Sequence, residues 1–408
     1  MTEHGSRKGI RSTFALVLVF AAFAILYGRN AGKEAASDDK PSVEKGKQSV
    51  IPNPTEKQTT PQDTRKKVDP PNDAIEVQLP PTINALTGKE INIYFDNLII
   101  GDAGDYLFDV VCSIGILQNE RWTLNTNTAG TYPITINVYD KKSIQKVGTA
   151  SATVIVKSGS VGSGVTKKAL FIGDSTTAAG KYTGELLNLF SSDPMDIELL
   201  GSQGTAPNLH EGRGGWRVDQ YFTNASSPFV FNGAFNFSQY MHSQGYTRVD
   251  YVFFHLGIND IFNETSDSGA HAVANAAVTA YNNMIATMKT LFPNIRIGMC
   301  LTIPPSKHQD AFGNNYGSGQ TRWQYKRNWF QWNKAILAAF QNRTAENIYL
   351  VPLHAILDTE HNMSVSTVAV NARNSTTTVR QTDAVHPADT GYNQMADAIY
   401  CWLKGFES

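Results

Sequence analysis

The chain has 408 residues and a nearly balanced charge, with 35 Lys and Arg residues against 36 Asp and Glu residues. A formal net charge of -1 gives no electrostatic reason to expect a nucleic-acid partner. The three cysteines lie far apart without a C-x-x-C spacing, which argues against a zinc site or a disulfide framework, and we expect no metal or other cofactor. The length predicts two or more domains, and the 41% hydrophobic content predicts buried cores in most of the chain.

Residues 1–28 carry a targeting pattern. Arg7, Lys8 and Arg11 precede an uncharged, mostly apolar run over residues 14–27. This order is typical of a signal peptide or a signal anchor. The run is short for a membrane-spanning helix, which needs roughly 17 to 25 residues, so cleavage and membrane anchoring both remain open. In either case we expect the rest of the chain to be exported and to be secreted, periplasmic or attached to the cell surface.

Residues 29–74 have a different composition. They are rich in Lys, Asp, Ser, Thr, Gln and Pro and almost lack large apolar side chains. Such a segment cannot bury enough surface to offset the entropy of the chain. We therefore predict a disordered linker between the N-terminal segment and the folded part.

Residues 75–157 contain short runs in which apolar and polar side chains alternate. The runs cover residues 75–79, 91–95, 132–139 and 150–156, and turn residues separate them. This spacing predicts a small antiparallel β-sandwich domain. The sandwich shows no convergent polar cluster, so a spacer or accessory role is favoured over ligand binding.

After a Gly/Ser linker at residues 158–164, apolar strands alternate with helical patterns over residues 166–408. This order predicts an α/β fold whose parallel sheet is covered by helices on both faces. Ligands of such sheets bind at the carboxyl ends of the strands. Strands are predicted at 168–172, 197–200, 249–256, 295–301 and 348–353, and helices at 184–190, 271–291, 328–340 and 389–403.

The first motif is Gly-Asp-Ser-Thr at residues 173–176, directly after the first of these strands. A serine at a strand-to-helix turn can project its hydroxyl into a cleft, and the following backbone N–H groups point the same way. Ser175 is therefore a candidate nucleophile. A serine at the start of a helix is, however, often only an N-cap, so this motif alone is a weak signal.

The second motif is His-Glu-Gly-Arg-Gly-Gly-Trp-Arg at residues 210–217. Three of the four residues 212–215 are glycines, which have no side chain, so a backbone N–H group can approach a developing oxyanion. A glycine-rich loop that merely turns is the simpler interpretation of this motif by itself. Arg213, Trp216 and Arg217 are candidate substrate contacts, and the two arginines could equally pair with surface carboxylates.

The third motif is Gly-Ile-Asn-Asp at residues 257–260, directly after a predicted strand. Asn259 can donate a side-chain N–H into the same cleft. Taken singly, an Asn-Asp cap of a helix is about as good an explanation.

The fourth motif is Asp-Ala-Val-His-Pro at residues 383–387, before the last predicted helix. A carboxylate three residues before a histidine can reach its imidazole across one turn, fix its tautomer and stabilise the imidazolium. Asp383 and His386 are therefore a candidate acid-base pair.

Together the four motifs resemble the blocks of the SGNH, or GDSL, hydrolase superfamily, in the same chain order and over about residues 166–408. The resemblance implies a three-layer α/β/α fold with Ser175 as nucleophile and His386 as its base. It also implies that Asp383 orients the imidazole, and that Ser175, Gly215 and Asn259 form the oxyanion hole. The leucine usual after Gly-Asp-Ser is Thr176 here, and no Gly-x-Ser-x-Gly elbow surrounds the serine, which argues against an α/β-hydrolase-fold enzyme.

The expected substrate is an acetylated polysaccharide or another ester. Export and a neighbouring sandwich favour an extracellular polymer, and many SGNH enzymes of this layout resemble carbohydrate acetylesterases. Residues 304–325 are predicted to form a long loop. Within it, Trp323 and Tyr325 either are exposed and stack on sugar rings or pack inside the protein, and the sequence leaves both alternatives open. Membrane contact is expected only if the N-terminal segment is uncleaved.

Three alternatives stay open on the sequence. A polysaccharide O-acetyltransferase would share the site and pass the acyl group to a sugar. A lipase or thioesterase would use the same chemistry on another ester. A carbohydrate-binding surface protein with an inactive site is the third, and the complete set of candidate residues argues against it.

Overall fold

The computed structural model describes residues 74–408. The predicted signal segment and almost all of the predicted linker lie outside these residues. Within them, no helix has the length and the apolar character needed to cross a membrane.

The first part of the described chain is a β-sandwich. A four-stranded sheet with the order β1-β7-β6-β3 faces a three-stranded sheet with the order β2-β5-β4. All pairs are antiparallel except β1 and β7, which run parallel. The strands are β1 (Thr82–Leu86), β2 (Ile91–Tyr94), β3 (Tyr106–Val111), β4 (Ile116–Leu117), β5 (Arg121–Leu124), β6 (Gly130–Asp140) and β7 (Lys146–Lys157).

Alternation in the sequence identifies the inner face of the sandwich. Ile134, Ile136 and Val138 of β6 are fully buried, and their polar neighbours face outward. The predicted strand at residues 75–79 is wrong. The Ile75 N–H donates to one neighbour, Val147, whereas the Gln78 N–H donates to another, Leu98, so no continuous ladder forms.

The second part is a three-layer α/β/α structure, as the sequence predicts. Its central sheet has seven strands in the order β10-β11-β8-β14-β15-β16, with β9 also paired to β8. The strands of this part of the chain are β8 (Thr166–Gly173), β9 (Asp196–Leu200), β10 (Gln203–Thr205), β11 (Asn208–Gly212), β12 (Val230–Phe231), β13 (Ala234–Phe235), β14 (Tyr251–His255), β15 (Arg296–Cys300), β16 (Ile348–Val351), β17 (Val365–Asn371) and β18 (Asn374–Gln381). Of these, β12 pairs with β13 and β17 pairs with β18 in two separate two-stranded hairpins outside the central sheet.

Every pair in the central sheet is parallel apart from the β10–β11 hairpin. Helices α2 and α10 pack together, as do α6 and α8, and these pairs form the two outer layers. The helices are α1 (Ser175–Ala178), α2 (Lys181–Ser191), α3 (Val218–Thr223), α4 (Phe237–Ser243), α5 (Ile258–Ile261), α6 (Asp267–Leu291), α7 (Gln309–Tyr316), α8 (Arg322–Phe340), α9 (Leu353–Ile356) and α10 (Asp389–Lys404).

The register of the sheet brings the motifs to one edge. Gly173 at the end of β8 pairs with Gly212 of β11 on one side and with His255 of β14 on the other. Three parallel strands therefore end side by side, and the chain segments that follow them emerge together. These segments begin with the residues of the first three motifs.

The sandwich packs directly on the α/β part. The Gln78 side chain donates to the Phe330 carbonyl at 2.9 Å, and the buried Asn97 side chain donates to the Leu357 carbonyl at 2.8 Å. Residues 74–408 consequently belong to one compact unit. The predicted linker at 158–164 is a turn in which Gly159 is hydrogen-bonded to the side chain of Thr87.

Candidate active site

Ser175 lies at the first position of α1, beyond the end of β8. The N-cap of this helix is Asp174, whose carboxylate accepts the Thr176 N–H at 3.0 Å. The Ser175 hydroxyl is therefore not used for capping, which removes the simplest alternative for the first motif. Its Oγ lies 2.8 Å from Nε2 of His386, a residue 211 positions away in the chain.

His386 is held from its other side by Asp383. The two carboxylate oxygens lie 3.1 and 3.2 Å from Nδ1, and Oδ1 also accepts the backbone N–H of His386 at 2.8 Å. We call residues 383–386 the Asp-His turn. The hydrogen bond places the Nδ1 proton toward Asp383, so Nε2 is left as an acceptor for the proton of Ser175 Oγ.

The charges of this pair shift both ionisation equilibria. The hydrogen bond to Asp383 raises the pKa of His386 above its usual 6.5, although burial acts in the opposite direction. Burial raises the pKa of Asp383, but the hydrogen bonds from His386 and the backbone outweigh it, and the net pKa is lowered. Asp383 is therefore ionised while His386 gains or loses a proton.

Gly215 and Asn259 occupy the segments that follow β11 and β14. Gly215 has a φ of +78°, a left-handed conformation that favours glycine. One N–H of the Asn259 amide donates to the Trp216 carbonyl at 3.0 Å, which ties the two segments together. The amide has a second N–H that this contact does not use.

Arg213 pairs with a carboxylate, as the second of the two interpretations expected, but the carboxylate is that of the buried Glu211 and not one on the surface. Its Nη1 lies 2.6 Å from Oε2 of Glu211, whose side chain is completely buried. The Tyr240 hydroxyl donates to the same carboxylate at 2.8 Å. The guanidinium also lies over the half-buried ring of Trp216, 5.2 Å from its centroid. These contacts anchor the segment that carries Gly215.

Arg217 differs from Arg213 in its surroundings. It pairs with Asp219 at 3.0 Å, and both side chains are about half exposed, at 48% and 59%. A pair of this kind leaves the guanidinium accessible from the solvent.

The two aromatic residues considered as sugar contacts differ in their exposure to solvent. Trp323 is 48% exposed, whereas Tyr325 is fully buried. Of the two alternatives left open for Tyr325, the structure supports packing inside the protein, because α8 begins at Arg322 and turns this residue inward against Phe262 and Phe312.

Sequence reasoning missed α7, which lies inside the predicted loop and contacts the Asp-His turn. Asn315 accepts the Ala384 N–H at 2.8 Å, and the Asn314 side chain donates to the Thr382 carbonyl at 2.8 Å. Tyr316 of this helix is half-buried; burial together with the charge of Asp383 raises its pKa to about 12. Gly313 and two asparagines are poor helix formers, so the local sequence gave no helical signal.

Thr176, which stands where related sequences usually have leucine, makes buried hydrogen bonds next to the nucleophile. Its Oγ1 donates to Asp174 at 2.8 Å and lies 3.2 Å from Nδ1 of His255. Burial raises the pKa of Asp174 to about 6 and lowers the pKa of His255 to about 4. His255 is therefore neutral at pH 7 and does not titrate with His386.

Most of the α/β part of the chain matches a known protein family. A family model described as GDSL-like Lipase/Acylhydrolase matches residues 170–399. No curated protein matches the sequence. The match spans the first, second and third motifs as well as the Asp-His turn.

Several solved structures match part of the chain. A carbohydrate esterase family 3 protein from Talaromyces cellulolyticus is 18% identical, with coverage of 58% of this chain and 96% of that chain and a TM-score of 0.35. A carbohydrate acetylesterase from Sinorhizobium meliloti is 14% identical, with coverage of 58% and 98% and a TM-score of 0.33. A protein described as a possible lipase from Chitinophaga pinensis is 18% identical, with coverage of 57% and 96% and a TM-score of 0.35. These identities are too low to carry a substrate over to this chain.

The family model covers more than half of the chain, and the α/β/α architecture is the one that the four motifs predicted. The chain belongs to the GDSL-like lipase/acylhydrolase family, whose members are also called SGNH hydrolases.

Proposed function

We propose that the protein is a serine esterase that removes acyl groups, most simply O-acetyl groups, from a carbohydrate polymer outside the cytoplasm. The observation that carries the proposal is the hydrogen-bonded series of Ser175, His386 and Asp383, with the Oγ–Nε2 distance of 2.8 Å. The hydroxyl of Ser175 is only weakly acidic, and the imidazole of His386 lies beside it as a base that Asp383 orients.

The first half of the reaction forms an acyl-enzyme. Oγ of Ser175 attacks the ester carbonyl carbon while Nε2 of His386 takes the hydroxyl proton. When the tetrahedral intermediate collapses, the bond between the carbonyl carbon and the leaving sugar oxygen breaks, and the imidazolium returns the proton to that oxygen. Asp383 stabilises the imidazolium without taking its proton.

The second half consumes water. His386 removes a proton from a water molecule that attacks the acyl carbon, and the bond to Ser175 Oγ breaks as the serine regains its proton. The products are a free sugar hydroxyl and a carboxylic acid, which ionises at neutral pH. No cofactor is needed to balance these steps.

We assign the oxyanion to the backbone N–H groups of Ser175 and Gly215 and to the Asn259 amide. The free N–H of Asn259 and the left-handed conformation of Gly215 support this assignment. Loss of one such donor costs roughly 10²–10³ in turnover in enzymes of this type. Asn259→Ala is expected to lower kcat by about that factor.

Three features support a polysaccharide as the proposed substrate. Trp323 offers an exposed indole, and aromatic faces of this kind can pack on sugar rings. The expected export of the chain would place the site among extracellular or envelope polysaccharides. Arg217 is a second accessible group for sugar hydroxyls or acidic sugars.

Acetate release from a panel of acetylated polysaccharides tests the proposal. The native chain is expected to release acetate, Ser175→Ala to release none, and Trp323→Ala to show a higher KM on the polymer but an unchanged kcat on a small acetate ester. Acetate release by folded Ser175→Ala at the native rate would refute the proposed function.

A further inference from the structure

One carboxylate of the sandwich is enclosed by cations of the α/β part. Asp96 lies in the short turn Phe95–Asn97 and is bound by Lys307 at 3.1 Å, Arg322 at 3.1 Å and Lys326 at 3.0 Å. Its side chain is only 15% exposed, and that of Lys326 only 1%. A carboxylate with three partly or fully buried cations differs from the surface pairs that contribute little.

These cations keep Asp96 ionised. Burial alone would raise its pKa, but the charges of Lys326, Lys307 and Arg322 lower the pKa from 3.8 to about 2. The negative charge is therefore present throughout the neutral range and is the group that holds three positive charges close together.

Two of the cations connect Asp96 with residues 306–308, which we call the bracing segment. Lys307 belongs to this segment, and Nε of Arg322 donates to the Ser306 carbonyl at 3.2 Å. Asp96 therefore holds the bracing segment in two ways. Its Oδ1 binds Lys307, and its Oδ2 binds Arg322, which contacts the Ser306 carbonyl.

The bracing segment in turn holds the Asp-His turn. The Ser306 N–H donates to the Ala384 carbonyl at 2.9 Å, and Ala384 lies between Asp383 and His386. The His308 N–H donates to the Gln381 side chain at 2.9 Å, two residues before Asp383. A continuous series of short contacts therefore joins the sandwich to the turn that carries the imidazole.

We propose that Asp96 is a positioning residue through which the sandwich holds His386 in reach of Ser175. The inference rests on the proposed function and adds a role for the sandwich in it. Without the carboxylate, Lys307 and Arg322 repel each other and the bracing segment shifts. The turn then loses its support on this side, while the contacts of Asn315 with Ala384 remain.

The expected defect is in the chemical step. A displacement of a catalytic group by about 1 Å can cost roughly 10²-fold in rate, whereas substrate contacts elsewhere are unchanged. Asp96→Asn is therefore expected to lower kcat about 10-fold or more on a small acetate ester and to leave KM within about 2-fold. A weaker contact between Asp383 and His386 should also move the acidic limb of the kcat/KM profile to lower pH.

Glu76→Gln is the matched control. Glu76 also lies in the sandwich and pairs at 2.6 Å with Lys334, which belongs to α8, the helix that carries Arg322 and Lys326. This variant removes a carboxylate that joins the same two parts of the protein, but its partner does not belong to the bracing segment. We expect its kcat and pH profile to match those of the native chain.

Full-length variants are compared well below their melting temperatures, with Ser175→Ala alongside. A kcat for folded Asp96→Asn within about 2-fold of native, or an equal loss in Glu76→Gln, would overturn the inference but not the proposed function. Full activity of Ser175→Ala would instead refute the proposed function. If Asp96→Asn does not fold, Lys307→Met replaces it, because it keeps the carboxylate and removes only the cation of the bracing segment; an unchanged kcat there also overturns the inference.

Discussion

At the scale of single residues, the ionisation of His386 sets the pH at which the site can work. Its imidazole must be neutral to accept the Ser175 proton, and the hydrogen bond to Asp383 raises its pKa above 6.5. Activity should therefore fall as the pH drops through a value above 6.5. The acidic limb of a kcat/KM profile measures this midpoint.

Asp383→Asn is the variant that isolates the cause of this shift. An amide cannot stabilise the imidazolium, so the acidic midpoint should move down and kcat should fall by about 10⁴ if the tautomer is also lost. An acidic limb that stays in place in this variant would contradict the role given to Asp383.

The two arginines of the second motif offer a matched comparison of buried and exposed ion pairs. Arg213→Met leaves the carboxylate of Glu211 buried without its cation, which should lower the free energy of unfolding by about 3–5 kcal/mol. Arg217→Met breaks an exposed pair and should cost less than about 1 kcal/mol. Urea denaturation of both variants measures the difference, and equal losses would argue against the buried network.

At the scale of secondary-structure elements, the apolar strands of the central sheet were predictable because they are buried on both faces and form nearly continuous hydrophobic runs. β8 and β14 are of this kind. The motifs that follow them could be placed at one sheet edge for the same reason. β11 was missed, since its five residues contain only one large apolar side chain, Leu209.

The hairpin of β17 and β18 was missed for another reason. Its residues are mostly exposed and rich in Ser, Thr and Asn, so they lack the apolar alternation that marks a half-buried strand. The pairing of the two strands stabilises the hairpin, and such pairing is a non-local property that a single short segment does not reveal.

The start of α8 decides between the two alternatives that the sequence left open for Tyr325. The predicted helix began at residue 328, but the N-cap is Thr321, whose side chain accepts the Gln324 N–H at 3.2 Å. A threonine followed three residues later by glutamine is a known signature of a helix start, and it was available in the sequence. An earlier start changes which side chains face the core.

This cap can be tested by itself. Thr321→Ala should lower the free energy of unfolding by about 1 kcal/mol, because the first turn of α8 loses a hydrogen-bond acceptor. Thr321→Ser keeps the hydroxyl and should remain within a few tenths of a kcal/mol of the native value, an estimate from the same N-cap preferences. Chemical denaturation distinguishes the two variants, and an equal stability for both would show that the cap contributes nothing.

At the scale of the whole molecule, the sequence predicted two folded parts but not how closely they pack. The partners of Asp96 lie more than 200 positions away in the chain, at separations such as 226 residues for Arg322. No local sequence pattern predicts a contact between residues so far apart in the chain. The accessory role expected for the sandwich rests on the lack of a convergent polar cluster in its sequence. The proposed role of Asp96 connects the sandwich to the site through Lys307, Arg322 and the bracing segment.

Asp96 and its three cations also predict how the stability of the fold depends on pH. The folded-state pKa of Asp96 is depressed from 3.8 to about 2, so its contribution is present above pH 3.8 and is lost as the pH falls through about 2. Melting temperatures of the native chain and Asp96→Asn should therefore differ most at neutral pH. The gap should narrow between pH 3.8 and about 2, and a gap that widens on acidification would contradict the assignment.

The most direct measurement is the site of covalent labelling by a fluorophosphonate, a reagent that reacts with activated serines. Peptide mass spectrometry should find one adduct, on Ser175, and His386→Gln should slow its formation by several orders of magnitude, as for other serine-histidine sites. An adduct on a different serine, or labelling of Ser175 at the native rate without the imidazole, would contradict the claim that these two residues act together.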